Sequence, residues 1–126
     1  MSVAYIDTSC LVAIAFGERG AAALARRLTQ FDELVSANLL EAELRSAFVR
    51  ERVDFATDLL SSVSWVIPDR PLSDEVARVL GAGYLRGADC LHLATALFLA
   101  GDPASITFLT LDDSQGRVAR EIGFRI

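Results

Sequence analysis

The sequence predicts an α/β fold, three layers deep, with a central and mostly parallel sheet. Two observations carry this. Short continuous apolar runs of strand length alternate with longer stretches of helical periodicity. The first run, Val3-Ala4-Tyr5-Ile6, also passes straight into Asp7, Thr8 and Ser9 before a helical pattern begins at Leu11. A strand apolar on both faces that turns directly into a helix belongs to a parallel sheet covered on both sides.

Taken in order, Ser2 to Ile6 reads as the first strand. Ser9 to Phe16 reads as a short helix broken at Gly17, with Thr8 or Ser9 as its cap. Glu18 to Phe31 is a second helix, Leu24 and Leu28 sharing its buried face. Glu33 to Ser36 is a strand. Ala37 to Arg52 is a third helix, with Asn38 as N-cap, Glu41 as its capping-box partner, and an apolar stripe of Leu40, Leu44, Ala47 and Phe48. Phe55 to Val63 reads as a fourth helix and Trp65 to Ile67 as a strand ended by Pro68. Ser73 caps a fifth helix running to about Tyr84. Asp89 opens a helix to Ala100 that is apolar nearly all round, the pattern of a buried helix. Ile106 to Leu109 is a strand, Gln115 to Ile122 the last helix, Gly123 its C-cap, and Phe124 to Ile126 a closing edge strand.

The 126 residues fit one domain, 1–126, and 52% hydrophobic content supplies a core. No apolar run reaches the roughly 18 residues of a membrane span, and no basic leader opens the chain, so a cytoplasmic protein is expected. Cys10 and Cys90 read as reduced core residues, too few for a structural zinc site. The net charge of -5 argues against bulk attraction to nucleic acid or membrane but leaves room for a local basic patch. All 12 basic residues are arginine. Mechanisms that need a lysine are therefore excluded, among them those of phosphoacceptor receivers and haloacid-dehalogenase-type phosphatases.

Asp7 and Asp112 each follow an apolar strand run, so both fall at the same edge of a parallel sheet, where α/β folds bind ligands. Asp89 opens the apolar helix, and Glu43 borders the buried face of the third helix, where an unpaired acid is costly. Each has a plain structural reading: turn residue for Asp112, N-cap for Asp89, solvated helix acid for Glu43. Only their joint arrangement speaks for a site.

Four stretches together resemble PIN-domain ribonucleases, especially the toxins of VapBC-type toxin–antitoxin pairs. They are Tyr5-Ile6-Asp7-Thr8-Ser9, Glu41-Ala42-Glu43-Leu44-Arg45, Gly87-Ala88-Asp89-Cys90-Leu91-His92-Leu93-Ala94-Thr95-Ala96 and Phe108-Leu109-Thr110-Leu111-Asp112. The resemblance implies metal-binding and catalytic acids at Asp7, Glu43, Asp89 and Asp112, with Glu41 and Asp113 as neighbouring rivals. It also implies sheet order 3-2-1-4-5, a homodimer, a small antitoxin partner and RNA as substrate. Four carboxylates suit Mg2+ or Mn2+, which take oxygen ligands. Arg45, Arg86 and Arg117, each within five residues of a proposed ligand, and Thr110 are the candidates for substrate contact. His92, the only histidine, lies one turn after Asp89 and reads first as a satisfied core residue. Two rival readings stand. Arg86 and His92 match the Arg-x5-His spacing of metal-independent HEPN ribonucleases, which are all-helical. A catalytically silent PIN-like interaction module is the other.

Overall fold

Four strands pair in parallel in the order β3-β2-β1-β4 in a computed structural model that describes residues 1–126. They are β1 (Val3–Ile6), β2 (Glu33–Ala37), β3 (Val63–Val66) and β4 (Thr107–Leu109). Six helices cover them: α1 (Thr8–Ala15), α2 (Ala21–Leu28), α3 (Leu39–Glu51), α4 (Ser73–Ala82), α5 (Gly87–Ala100) and α6 (Asp113–Ile122).

The period-2 alternation of β1 divides the core. Ala4 and Ile6 point to one face, where they pack with Cys10, Leu11, Leu28, Leu40, Leu44 and Phe48 from α1, α2 and α3. Tyr5 points to the other, among Val79, Leu93, Leu97, Phe108 and Val118. Its ring stacks on that of Phe108, its register partner on β4, at 5.2 Å between centroids. Such a pair adds about 0.5–1.5 kcal/mol beyond the buried area. The three-layer arrangement follows from a strand that is apolar on both sides.

Several expectations need correction. Residues 55–63 form no helix. Thr57–Leu60 makes a single 3-10 turn, and Val63 already pairs with Leu34 in the sheet. The segment is pinned at both ends, with Phe55 held edge-on against Phe48 at 5.0 Å and Val63 in the sheet beside Leu34. The second helix begins only at Ala21, after Gly20 in the left-handed region (φ 84°). Asn38 precedes α3 but makes no side-chain cap; its amide donates instead to Glu41 Oε1 at 3.4 Å. Leu72, not Ser73, stands at the N-cap of α4, and α4 ends at Ala82 rather than near Tyr84. The closing strand is reduced to one parallel bridge, Arg125 to Thr107, on the outer side of β4. Phe108 N–H donates to Arg125 O at 2.8 Å there, so the last residues sit in the fifth position of the expected order without building a strand. No helix is long and apolar enough to cross a membrane.

Candidate active site

The parallel pairing brings the C-terminal ends of β1 and β4 together, and Asp7 is the first residue beyond β1. Its N–H donates to Leu109 O at 2.9 Å, extending the ladder past the last register pair. Its carboxylate is 5% exposed for the whole residue and fully engaged. Oδ2 accepts from Ser9 N at 3.0 Å, which makes Asp7 itself the N-cap of α1. Oδ1 accepts from Gln115 Nε2 at 3.2 Å. Thr8 and Ser9, expected as caps, lie in the first turn and reach elsewhere. Thr8 Oγ1 donates to Glu43 Oε1 at 2.7 Å, and Ser9 Oγ accepts from Leu111 N at 3.0 Å. Three consecutive residues thus tie β1 to α1, to α3 and to the loop after β4.

That loop is built around Asp112, whose Oδ1 accepts from Gln115 N at 2.7 Å and caps α6. Gln115 stands at the third helical position, where a capping-box side chain would turn back to Asp112 N. Thr110 Oγ1 already accepts from that N–H at 3.0 Å. The Gln115 side chain is free to reach inward, and it is fully buried. Its amide donates to Asp7 Oδ1 and to Asp89 O, both at 3.2 Å, while its Oε1 accepts from Thr110 Oγ1 at 2.6 Å. Sequence reasoning missed Gln115; its only sequence signal is the three-residue spacing from Asp112. Thr110 is a keystone here, its hydroxyl reaching Gln115 on α6 and, at 3.4 Å, Asp7 Oδ2.

Asp89 does not cap α5. Arg86 holds the N-cap position without a side-chain bond, and Asp89 is the third helical residue, in the first turn. A carboxylate there is favoured by the helix dipole.

His92, one turn on, is fully buried and joins the two helical layers. Tyr5 Oη accepts from Ala37 N at 3.0 Å and lies 2.7 Å from His92 Nδ1. Burial pushes the tyrosine hydroxyl well above its usual range, so it keeps its proton and donates to Nδ1. By this donor count the ring proton sits on Nε2, which donates to Glu43 Oε1 at 2.7 Å. Burial pushes the Glu43 carboxyl up, but the hydrogen bonds from His92 and Thr8 hold it below the ordinary value. Glu43 is therefore the inward acid of its helix, and Glu41 pairs with Arg45 at 2.7 Å.

The crevice carries an excess of negative charge. Burial first, then the charges of Asp7, Asp112 and Glu43, raise the Asp89 carboxyl above its ordinary value. No arginine pairs with any of these four acids; the arginine ion pairs are Arg45–Glu41, Arg50–Glu51 and Arg70–Glu75. The oxygen donors match a hard divalent cation in chemistry. Glu43 Oε2, Asp112 Oδ2 and the Asp89 carboxylate accept no hydrogen bond from the protein. In position they are not gathered: no three acidic, histidine or cysteine side chains lie close enough together to hold an ion. The four acids share a field but do not form a ligand sphere.

The PIN domain family matches residues 4–121. The chain belongs to the PIN domain family. PIN domains are generally nucleases, hydrolases of nucleic acid that commonly use divalent metals. No curated protein and no solved structure gives a match.

Around the acids of this PIN domain the candidate cations divide. Arg45 is turned to Glu41 and lies 4.2 Å over the Phe55 ring. Arg117 donates to Ser114 Oγ at 3.2 Å. Arg86 makes no ion pair and lines a cleft of about 340 Å3 with Tyr84, Leu85, Asp89, Asp112 and Ser114. A larger cavity of about 680 Å3, beside the ends of β2 and β3, is mainly apolar and shares no residue with that cleft. Chemistry, not size, assigns the site. His92, being buried and bonded through both ring nitrogens, is held as a structural link. The α/β fold sets aside the all-helical HEPN reading of Arg86 and His92.

Proposed function

We propose that this PIN domain is an endoribonuclease dependent on Mg2+ or Mn2+, acting as the toxin of a VapBC-type toxin–antitoxin pair. One observation supports this above all. Asp89 stands with Asp7, Asp112 and Glu43 at one end of the sheet, burial first and then their charges raise its carboxyl above the ordinary value, and no arginine is ion-paired to any of the four. Natural proteins seldom leave such crowding uncompensated unless a cation or a charged partner relieves it.

Asp7, Glu43, Asp89 and Asp112 would hold the ion. When bound, it supplies a water acidic enough to attack a phosphodiester at neutral pH and screens the site from the anionic substrate. The chain's own groups do the rest. Gln115 fixes the Asp7 carboxylate, and His92 fixes Glu43. Arg86, unpaired at the cleft, receives a substrate phosphate. Arg117 offers a second phosphate contact beyond Ser114.

In this reading residues 1–126 act as one domain in the cytoplasm, as a homodimer, bound when silent by a small antitoxin. An arginine of that antitoxin set among the four carboxylates would offset part of their charge, as a bound ion would. The test is cleavage of RNA by the purified protein in Mn2+ against EDTA. Cleavage in Mn2+ that EDTA abolishes is the expected result; equal activity in both overturns the metal-dependent reading.

A second reading has its own observation. Asp7 is fully hydrogen-bonded, and no three acids are gathered. A catalytically silent PIN-like interaction module would look the same, and it would bind RNA or protein without cutting in any metal.

A further inference from the structure

Tyr84 is 85% exposed, just beyond the end of α4, whose Val79 is buried and whose Leu80 is exposed. An aromatic ring left so far in water invites a partner. Its backbone is held from both sides. A side chain at Gly83 would come within 2.9 Å of Val118 on α6, so the chain passes close against that helix there. Leu85 is 6% exposed and belongs to the core. The ring thus stands out from a fixed stretch of chain rather than from a loose loop.

Its position is what matters. Tyr84 lines the cleft of about 340 Å3 that holds Asp89, Asp112 and Arg86. It also lines a second cleft of about 330 Å3 that holds Arg117. Ser114 is the other residue common to both. Each cleft is near the lower end of the size of small-ligand sites, about 300–1,000 Å3. Tyr84 and Ser114 form the divide between two clefts that each hold one arginine, Arg86 beside Asp89 and Asp112 in the first and Arg117 beside Glu121 in the second.

We propose that Tyr84 is the base-stacking residue of the nuclease, seating the nucleotide next to the scissile phosphate while Arg86 and Arg117 take the phosphates on its two sides. The proposal rests on the nuclease reading above. Stacking on an exposed aromatic ring between two cations is how proteins hold unpaired nucleotides without reading their sequence. A base in a duplex has both faces covered, so the contact requires an unpaired residue. Tyr84 is a positioning residue: it touches the substrate but not the reacting atoms.

The test uses the full chain and a cleavable single-stranded RNA in Mn2+, together with the same RNA carrying an abasic residue at each position in turn. Wild type, Tyr84→Ala and Tyr84→Phe are compared. Tyr84→Ala should raise KM about 5- to 100-fold with kcat changed far less, and Tyr84→Phe should retain most of the wild-type KM. One abasic position should raise KM for wild type by a similar factor and leave Tyr84→Ala unaffected. A purely structural role would not produce that dependence on a single base. Equal KM for wild type and Tyr84→Ala, or an abasic penalty that persists in Tyr84→Ala, overturns the stacking role and leaves the nuclease reading intact. No cleavage by wild type overturns both.

Discussion

His92 Nε2 stands 2.7 Å from Glu43 Oε1, linking α5 to α3 across the end of the sheet. The same ring receives Tyr5 on its other nitrogen, so one imidazole joins the central strand to both helical layers. His92→Ala should cost about 2–4 kcal/mol in urea unfolding, because it opens a cavity and leaves the buried Tyr5 hydroxyl without its acceptor. Full stability in that variant would show that the link is dispensable.

Asp89 gives a pH signature. Its folded-state pKa lies above the unfolded value, so its charge opposes folding. That destabilising contribution is fully present above the folded pKa and disappears as pH falls below the unfolded value of about 3.9. Asp89→Asn should therefore be more stable than wild type at neutral pH, with the advantage shrinking toward acid, and should lose most of its turnover. Glu43 has the opposite sign: its depressed pKa contributes stability that is lost as pH falls through the folded value. Denaturant midpoints of wild type and Asp89→Asn across pH check this; a difference independent of pH would contradict it.

Asp112 serves two purposes that substitution can separate. It caps α6 through Oδ1 and leaves Oδ2 to the crevice. Asp112→Asn keeps a good cap and removes the charge, whereas Asp112→Ala removes both. Asp112→Ala should lose about 1 kcal/mol of stability and Asp112→Asn much less, while both should lose nuclease activity to a similar degree. Activity retained in Asp112→Asn would reduce Asp112 to a cap.

Gln115 holds Asp7 without adding charge. Gln115→Glu puts a further carboxylate against a buried one, and should cost about 1–3 kcal/mol at neutral pH and regain part of that in acid. Thermal unfolding at two pH values measures it. A variant as stable as wild type at both would mean that Asp7 is held by other contacts.

The layers, the parallel pairing and the placing of Asp7 and Asp112 at one sheet edge were legible because they depend on strand periodicity alone. The order of the strands came with the family resemblance, and the fifth place is filled by a single bridge at Arg125. What periodicity cannot show is which side chain wins a shared hydrogen bond. Asp7 rather than Thr8 or Ser9 caps α1 because the two hydroxyls are drawn off to Glu43 and to Leu111 N. Gln115 turns inward because Thr110 has taken the N–H of Asp112. Arg45 is beside Glu43 in sequence, yet its guanidinium lies with Glu41 and Phe55. The segment at 55–63 forms one 3-10 turn because tertiary contacts pin Phe55 to Phe48 and Val63 to Leu34, which no local pattern shows.

The central claim is that Asp7, Glu43, Asp89 and Asp112 close around one divalent ion. The most direct measurement is the anomalous signal of Mn2+ in a soaked crystal. The account predicts a peak among these carboxylates, with Glu43 Oε2, Asp112 Oδ2 and the Asp89 carboxylate turned toward it. A peak elsewhere, or none with the acids unmoved, would contradict it.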